Sequence, residues 1–226
     1  NITDISYRLY AIKSILKEGV KGVKIDERYL LPSFVLKVIT EEYYVGNNDN
    51  VIYLADRIKK GYHKGSYEEV IRSINYWLCC ALCRNKDNRF FSEIEYFKNS
   101  PYSYNFLIGF YYRHQKQYEK AEKFYGEALN NVTQYDDNYS SKAEHEMVMV
   151  CMFLGRYKEA LDLARHSYER TPSNSYHIES YFRCLVRTAH PDKDMLKRKY
   201  IDFNECMKDI YRFLAKNLYQ DNHLTL

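Results

Sequence analysis

Gln115-Lys116-Gln117-Tyr118-Glu119-Lys120-Ala121 is followed thirty-nine residues later by Leu154-Gly155-Arg156-Tyr157-Lys158-Glu159-Ala160. In both stretches an aromatic residue stands three places before an alanine, and an apolar stripe of helical period runs on either side. Three residues is close to one helical turn, so the aromatic and the alanine share a face. Self-similarity at this spacing marks an array of helical hairpins, in which each unit buries its apolar face only by stacking on the next. The fold class read from this is all-α, and such an array works by offering a surface to a partner.

Asn99-Ser100-Pro101 opens the first copy, since Ser or Asn before Pro is a good helix start. Helices are predicted over 102–115, 117–131, 139–154, 156–170 and 175–188, and the linker Thr133 to Asn138 lengthens the first spacing. Thr171-Pro172-Ser173-Asn174 closes the second copy. Upstream, Val51–His63 and Ser66–Cys83 form a hairpin of related pattern, with Val70 in place of the alanine. Asn85–Asn88 is a polar break and Arg89–Phe97 a short helix. A helix from Pro32 to Tyr44, a loop over Gly46–Asn50 and a helix from Thr3 to Glu18 precede them. Downstream, His190-Pro191-Asp192 is a stop. A long helix then runs from Asp194 to Leu218, with Leu196, Tyr200, Phe203, Met207, Ile210 and Leu214 on one face. One apolar and one polar face suit a capping helix. The organisation expected is therefore 1–45 as an N-terminal helical segment, 46–98 as a degenerate hairpin region, 99–190 as repeats, and 191–226 as cap and tail.

Bulk composition agrees. With 8 Gly and 4 Pro in 226 residues, the chain has too few turn-formers for a many-stranded β architecture. Tyrosine is over-used, at 25 residues, and suits thin helical layers because its ring packs while its hydroxyl reaches water. A codon bias of an AT-rich genome would give the same excess. The formal charge of +4 is spread among interspersed signs and leaves no strong nucleic-acid footprint. Six cysteines lie within apolar helical stretches and read as reduced, buried thiols of a cytoplasmic protein. No run of eighteen apolar residues and no signal peptide is visible. The start at Asn1 rather than Met fits either a lost initiator or a segment of a longer polypeptide.

These residues resemble the tetratricopeptide repeat family. In the first copy the family's small positions fall on Gly109, Ala121 and Ala128, and its large ones on Ile108, Tyr112, Tyr118 and Tyr125. Asn105 and Thr133 depart from the aromatic and the proline of the pattern. In the second copy Met147, Tyr157, Ala160, Ala164, Ser167 and Pro172 match, while Val148 stands where the family has a small residue. A third unit from Ser175 keeps only its first helix, and a degenerate one from Val51 supplies Leu54, Tyr67, Val70 and Ile74. The first forty-five residues carry no part of the pattern. The resemblance implies a right-handed superhelical array in which Gly109 and Ala121 mark the tightest crossing within a hairpin. Among multidomain proteins, the chain is similar to the repeat-bearing sensor regions of bacterial signal-transduction ATPases.

In this family the first helices of successive hairpins line a concave groove. Carried over, the groove consists of Ser103, Phe106, Phe110, Arg113 and His114, then Lys142, His145, Met149, Met152 and Phe153. The Lys/Asn/Arg clamp of chaperone-binding members is absent. An aromatic and Met-rich groove implies a protein or peptide segment as partner. The competing reading is that these side chains pack on neighbouring helices.

Catalytic and cofactor motifs are not evident, so no cofactor and no metal is expected. Cys79, Cys80 and Cys83 contain a CxxC without a second ligand pair at zinc spacing. Glu144-His145-Glu146 lacks the second histidine of a zinc-protease helix, and phosphate-binding glycine loops are missing. His190, Asp192 and Asp194 sit in a polar turn where Asp caps a helix. Lys193, Lys197, Arg198 and Lys199 form the one dense basic patch and carry the alternative reading, a helical-repeat RNA-binding protein. Acidic residues interspersed among them argue for a solvated face instead.

Overall fold

The computed structural model describes residues 31–61, 67–132 and 137–187. Every regular element among them is helical, and they divide into two compact units between Lys98 and Asn99. The first unit holds α1 (Pro32–Tyr44), α2 (Asn48–Gly61), α3 (Glu68–Asn85), α4 (Phe90–Glu93) and a 3-10 turn over Ile94–Phe97. The second holds α5 (Pro101–His114), α6 (Tyr118–Leu129), α7 (Asp137–Phe153), α8 (Tyr157–Arg170) and α9 (Ser175–Arg187). Consecutive helices pack against one another within each unit. No helix among the described residues is long and apolar enough to cross a membrane. The helices expected over 3–18 and 194–218, and the stop at His190–Asp192, lie outside the described residues.

Local chemistry explains where the helices begin and end. Pro32 and Pro101 occupy first-turn positions, where a missing N–H removes no helical bond. Four helices close in one way. Gly46, Lys86, Lys116 and Gly155 have φ of 89°, 56°, 59° and 76°, the left-handed region. The N–H of each bonds a carbonyl three residues back, and the next N–H bonds one five back: Gly46 to Tyr43 and Asn47 to Glu42, Lys116 to Arg113 and Gln117 to Tyr112. Lys86 with Asp87 and Gly155 with Arg156 repeat the arrangement. This closure satisfies carbonyls that a helix end would otherwise leave bare.

The same closure between α1 and α2 alters the reading of the first unit. There α1 packs on both α2 and α3, and α2 packs on α3, the triangle that α7, α8 and α9 also make. Both pairings are therefore made, Pro32–Gly61 as well as the hairpin expected from Val51, and the first falls partly in residues where the sequence shows no pattern. Its buried positions are mostly aliphatic, among them Val35, Val38, Ile39, Val51, Leu54 and Ile58, with Tyr43 the buried aromatic and Ala55 the small residue. The loop expected over Gly46–Asn50 is shorter, because α2 already starts at Asn48. Polar side chains that look loop-like pin this corner instead. Glu42 accepts bonds from the Asn47 and Asn50 amides at 2.8 Å each, and Asn85 of α3 bonds Asp49 at 2.8 Å.

In the second unit the decisive contact is between α5 and α6. A Cβ on Gly109 would lie 2.8 and 2.9 Å from ring carbons of Tyr125, which is fully buried. The tight crossing thus forms at Gly109, but the group it admits is the Tyr125 ring, one turn beyond Ala121. Ala121 is itself fully buried, as are Ala160 and Ala164, which share a core with Val148, Cys151 and Cys184. The five described cysteines are buried, and none of them is in a disulfide. Burial pushes the Cys151 thiol up to about 11 and Cys184 to about 12, so both stay protonated at neutral pH.

Two glycines on facing sides of one hairpin should respond oppositely. Gly109→Ala drives a methyl into the enclosed Tyr125 ring, and unfolding in urea should show a loss of about 1–2 kcal/mol after the helix-propensity gain is subtracted. At Gly126 a Cβ would meet only Met147 Cε at 3.7 Å, an ordinary contact. Gly126→Ala should stabilise by about 0.5–1 kcal/mol in the same assay.

Candidate functional site

The first helices of the second unit are α5, α7 and α9, and the groove residues expected from the sequence lie on them. Phe106 and Phe110 are 1% and 6% exposed. Their rings stack at 6.4 Å, and Phe106 also stacks on Tyr102 and packs on Tyr125. They form a floor. Above it the Arg113 guanidinium lies 4.9 Å from the Phe110 centroid, and His114 meets the same ring edge-on at 4.5 Å. These are cation–π and aromatic contacts that hold the polar ends at the surface of an apolar bed.

Charged groups bring α7 alongside α5. Arg113 Nε pairs with Glu146 Oε2 at 2.8 Å, and the Tyr125 hydroxyl reaches the same carboxylate at 3.4 Å. Lys142 Nζ stands 5.1 Å from the centre of the Phe106 ring. Further along α7, His145 turns to α9: its Nδ1 is 2.7 Å from Ser180 Oγ, and its ring is 5.6 Å from Tyr176. Met152 sits at the margin of the core with its sulfur 3.6 Å from Cys184 Sγ. Met149 is half-buried. Phe153 is 49% exposed and stacks on Tyr118 at 4.9 Å. The structure thus assembles Phe106, Phe110, Arg113 and His114 in one cluster and splits the α7 residues, with Lys142 over Phe106 of α5 and His145 and Met152 against α9.

His145 and Ser180 are close enough for a base and a nucleophile, but Ser180 is 1% exposed, and its Oγ also lies 2.8 Å from the Tyr176 carbonyl, a back-bond to its own helix. The pair is a strap between helices.

The remaining polar clusters are likewise occupied by partners within the chain. Glu122, Cys151 and Glu159 bring ligand atoms within 4.8 Å of one another, a spacing open to a metal ion. Arg156 already fills this place, bonding Glu122 at 2.6 Å and Glu159 at 3.2 Å. Glu144 takes Arg170 at 2.6 Å and Ser167 at 2.6 Å, and lies 3.2 Å from His177 Nε2. Cys79 of the CxxC stretch has its thiol pushed well above its ordinary range, chiefly by burial. An open depression of about 770 Å³ runs along α8 past Tyr157, Leu163 and His166, on a second helix and away from the first-helix residues.

Sequence reasoning missed Glu146, Tyr125, Ser180 and Tyr118 as partners of the groove residues. Glu146 carried a usable signal, an acid on the face of α7 that meets a basic position of α5. Ser180 carried none, because its pairing depends on how α9 docks.

The family model of the tetratricopeptide repeat matches residues 101–173, which covers α5 through α8 and the turn that follows. The α1–α2 hairpin, with its identical closure, lies outside that match. No curated protein matches the chain.

Because Glu144 joins three helices from a position only 16% exposed, its removal should be costly. Glu144→Ala leaves Ser167, Arg170 and His177 without their shared acceptor and should lower unfolding free energy by about 2–3 kcal/mol. Glu127→Ala breaks the exposed 3.9 Å pair with Lys123 and should stay within about 0.5 kcal/mol. Equal losses in chemical denaturation would mean that Glu144 is not the tie it looks to be.

Proposed function

We propose that the second unit is a non-catalytic interaction module that takes a protein or peptide segment along the face of α5, α7 and α9. The observation that carries this reading is the continuity of that face. The Arg113–Glu146 pair and Lys142 over Phe106 join α5 and α7 into one strip, and α7 also carries half-buried Met149 and half-exposed Phe153. Methionine adapts its unbranched side chain to irregular apolar partners, and an exposed phenyl ring supplies anchoring area. An amphipathic helix laid in such a groove is a recurrent mode of recognition. The tetratricopeptide match over 101–173 supports the same conclusion, since repeats of this kind commonly serve as protein-interaction scaffolds.

One feature weighs against a nucleic-acid partner. Arg113 is compensated by Glu146, which weakens any field that would draw a phosphate backbone. The basic residues between Lys193 and Lys199, which carry the RNA-binding alternative, lie outside the described residues. In its finer form the reading makes the chain a sensor region of a larger bacterial multidomain protein acting in the cytoplasm, on the strength of the sequence resemblance alone.

The test uses the intact chain and a surface variant, Met149→Asp with Phe153→Asp. Affinity capture with mass spectrometry should enrich the same proteins repeatedly on the wild type and lose them on the variant, with thermal unfolding of the two alike. Binding should change less than about threefold between low and physiological salt, whereas a nucleic-acid contact would weaken steeply. Identical captured sets would move the site off this face.

A further inference from the structure

We draw no further inference here: the strongest candidate, the cluster of Glu122, Cys151 and Glu159 side chains where α6, α7 and α8 meet, is already bonded by the Arg156 guanidinium at both carboxylates, and no second feature among the described residues points to a metal ion there.

Discussion

The ring of Tyr125 fits only because Gly109 has no Cβ, and much of the second unit is arranged around that fit. Any other residue at Gly109 would put a carbon within 3 Å of the ring. With the ring seated, Phe106 packs on it from α5 and the tyrosine hydroxyl emerges beside Glu146 of α7. Glu146 in turn pairs with Arg113, which lies over Phe110. A steric requirement at one backbone position thus sets the apolar floor, the ion pair above it and the seam between two hairpins. The face proposed for docking follows from how the core is packed.

Much of this was legible in the sequence because helical period and small-residue spacing are local signals. The bounds of α1 follow from Pro32 and the left-handed Gly46, and α8 and α9 start and stop close to where Thr171-Pro172-Ser173-Asn174 divides them. Two features lie beyond such signals for the same reason. The α1–α2 pairing and the early start of α2 within Gly46–Asn50 both depend on a tertiary partner. Val35, Val38, Val51 and Ile58 give no small-and-aromatic pattern to detect, and Asn47 and Asn50 reveal their role only beside Glu42. The positions expected to line a groove are legible in the sequence, but their burial is not. Nothing in the spelling of Phe106 and Phe110 says that they are floor, whereas Phe153 on the same reasoning is half in solvent.

Glu144-His145-Glu146 illustrates how adjacency in sequence misleads about chemistry. Read as a string, the three residues invite a metal-site interpretation. On the helix they diverge by about 100° each, and so meet different neighbours. Glu144 goes to Arg170, Ser167 and His177, His145 to Ser180 and Tyr176, and Glu146 to Arg113 and Tyr125. One turn of α7 therefore fastens three surroundings at once, and each ionisable group is spent on cohesion.

The recurring left-handed closure at Gly46, Lys86, Lys116 and Gly155 has a wider consequence. It is a main-chain device, and even lysine adopts it at two of the four corners. The bend of each hairpin is consequently written in peptide geometry, while the side chains between corners are at liberty to drift from aromatic to aliphatic. Architecture of this sort can outlast the motif by which it is ordinarily spotted, and its ancestry is better traced through corners than through cores.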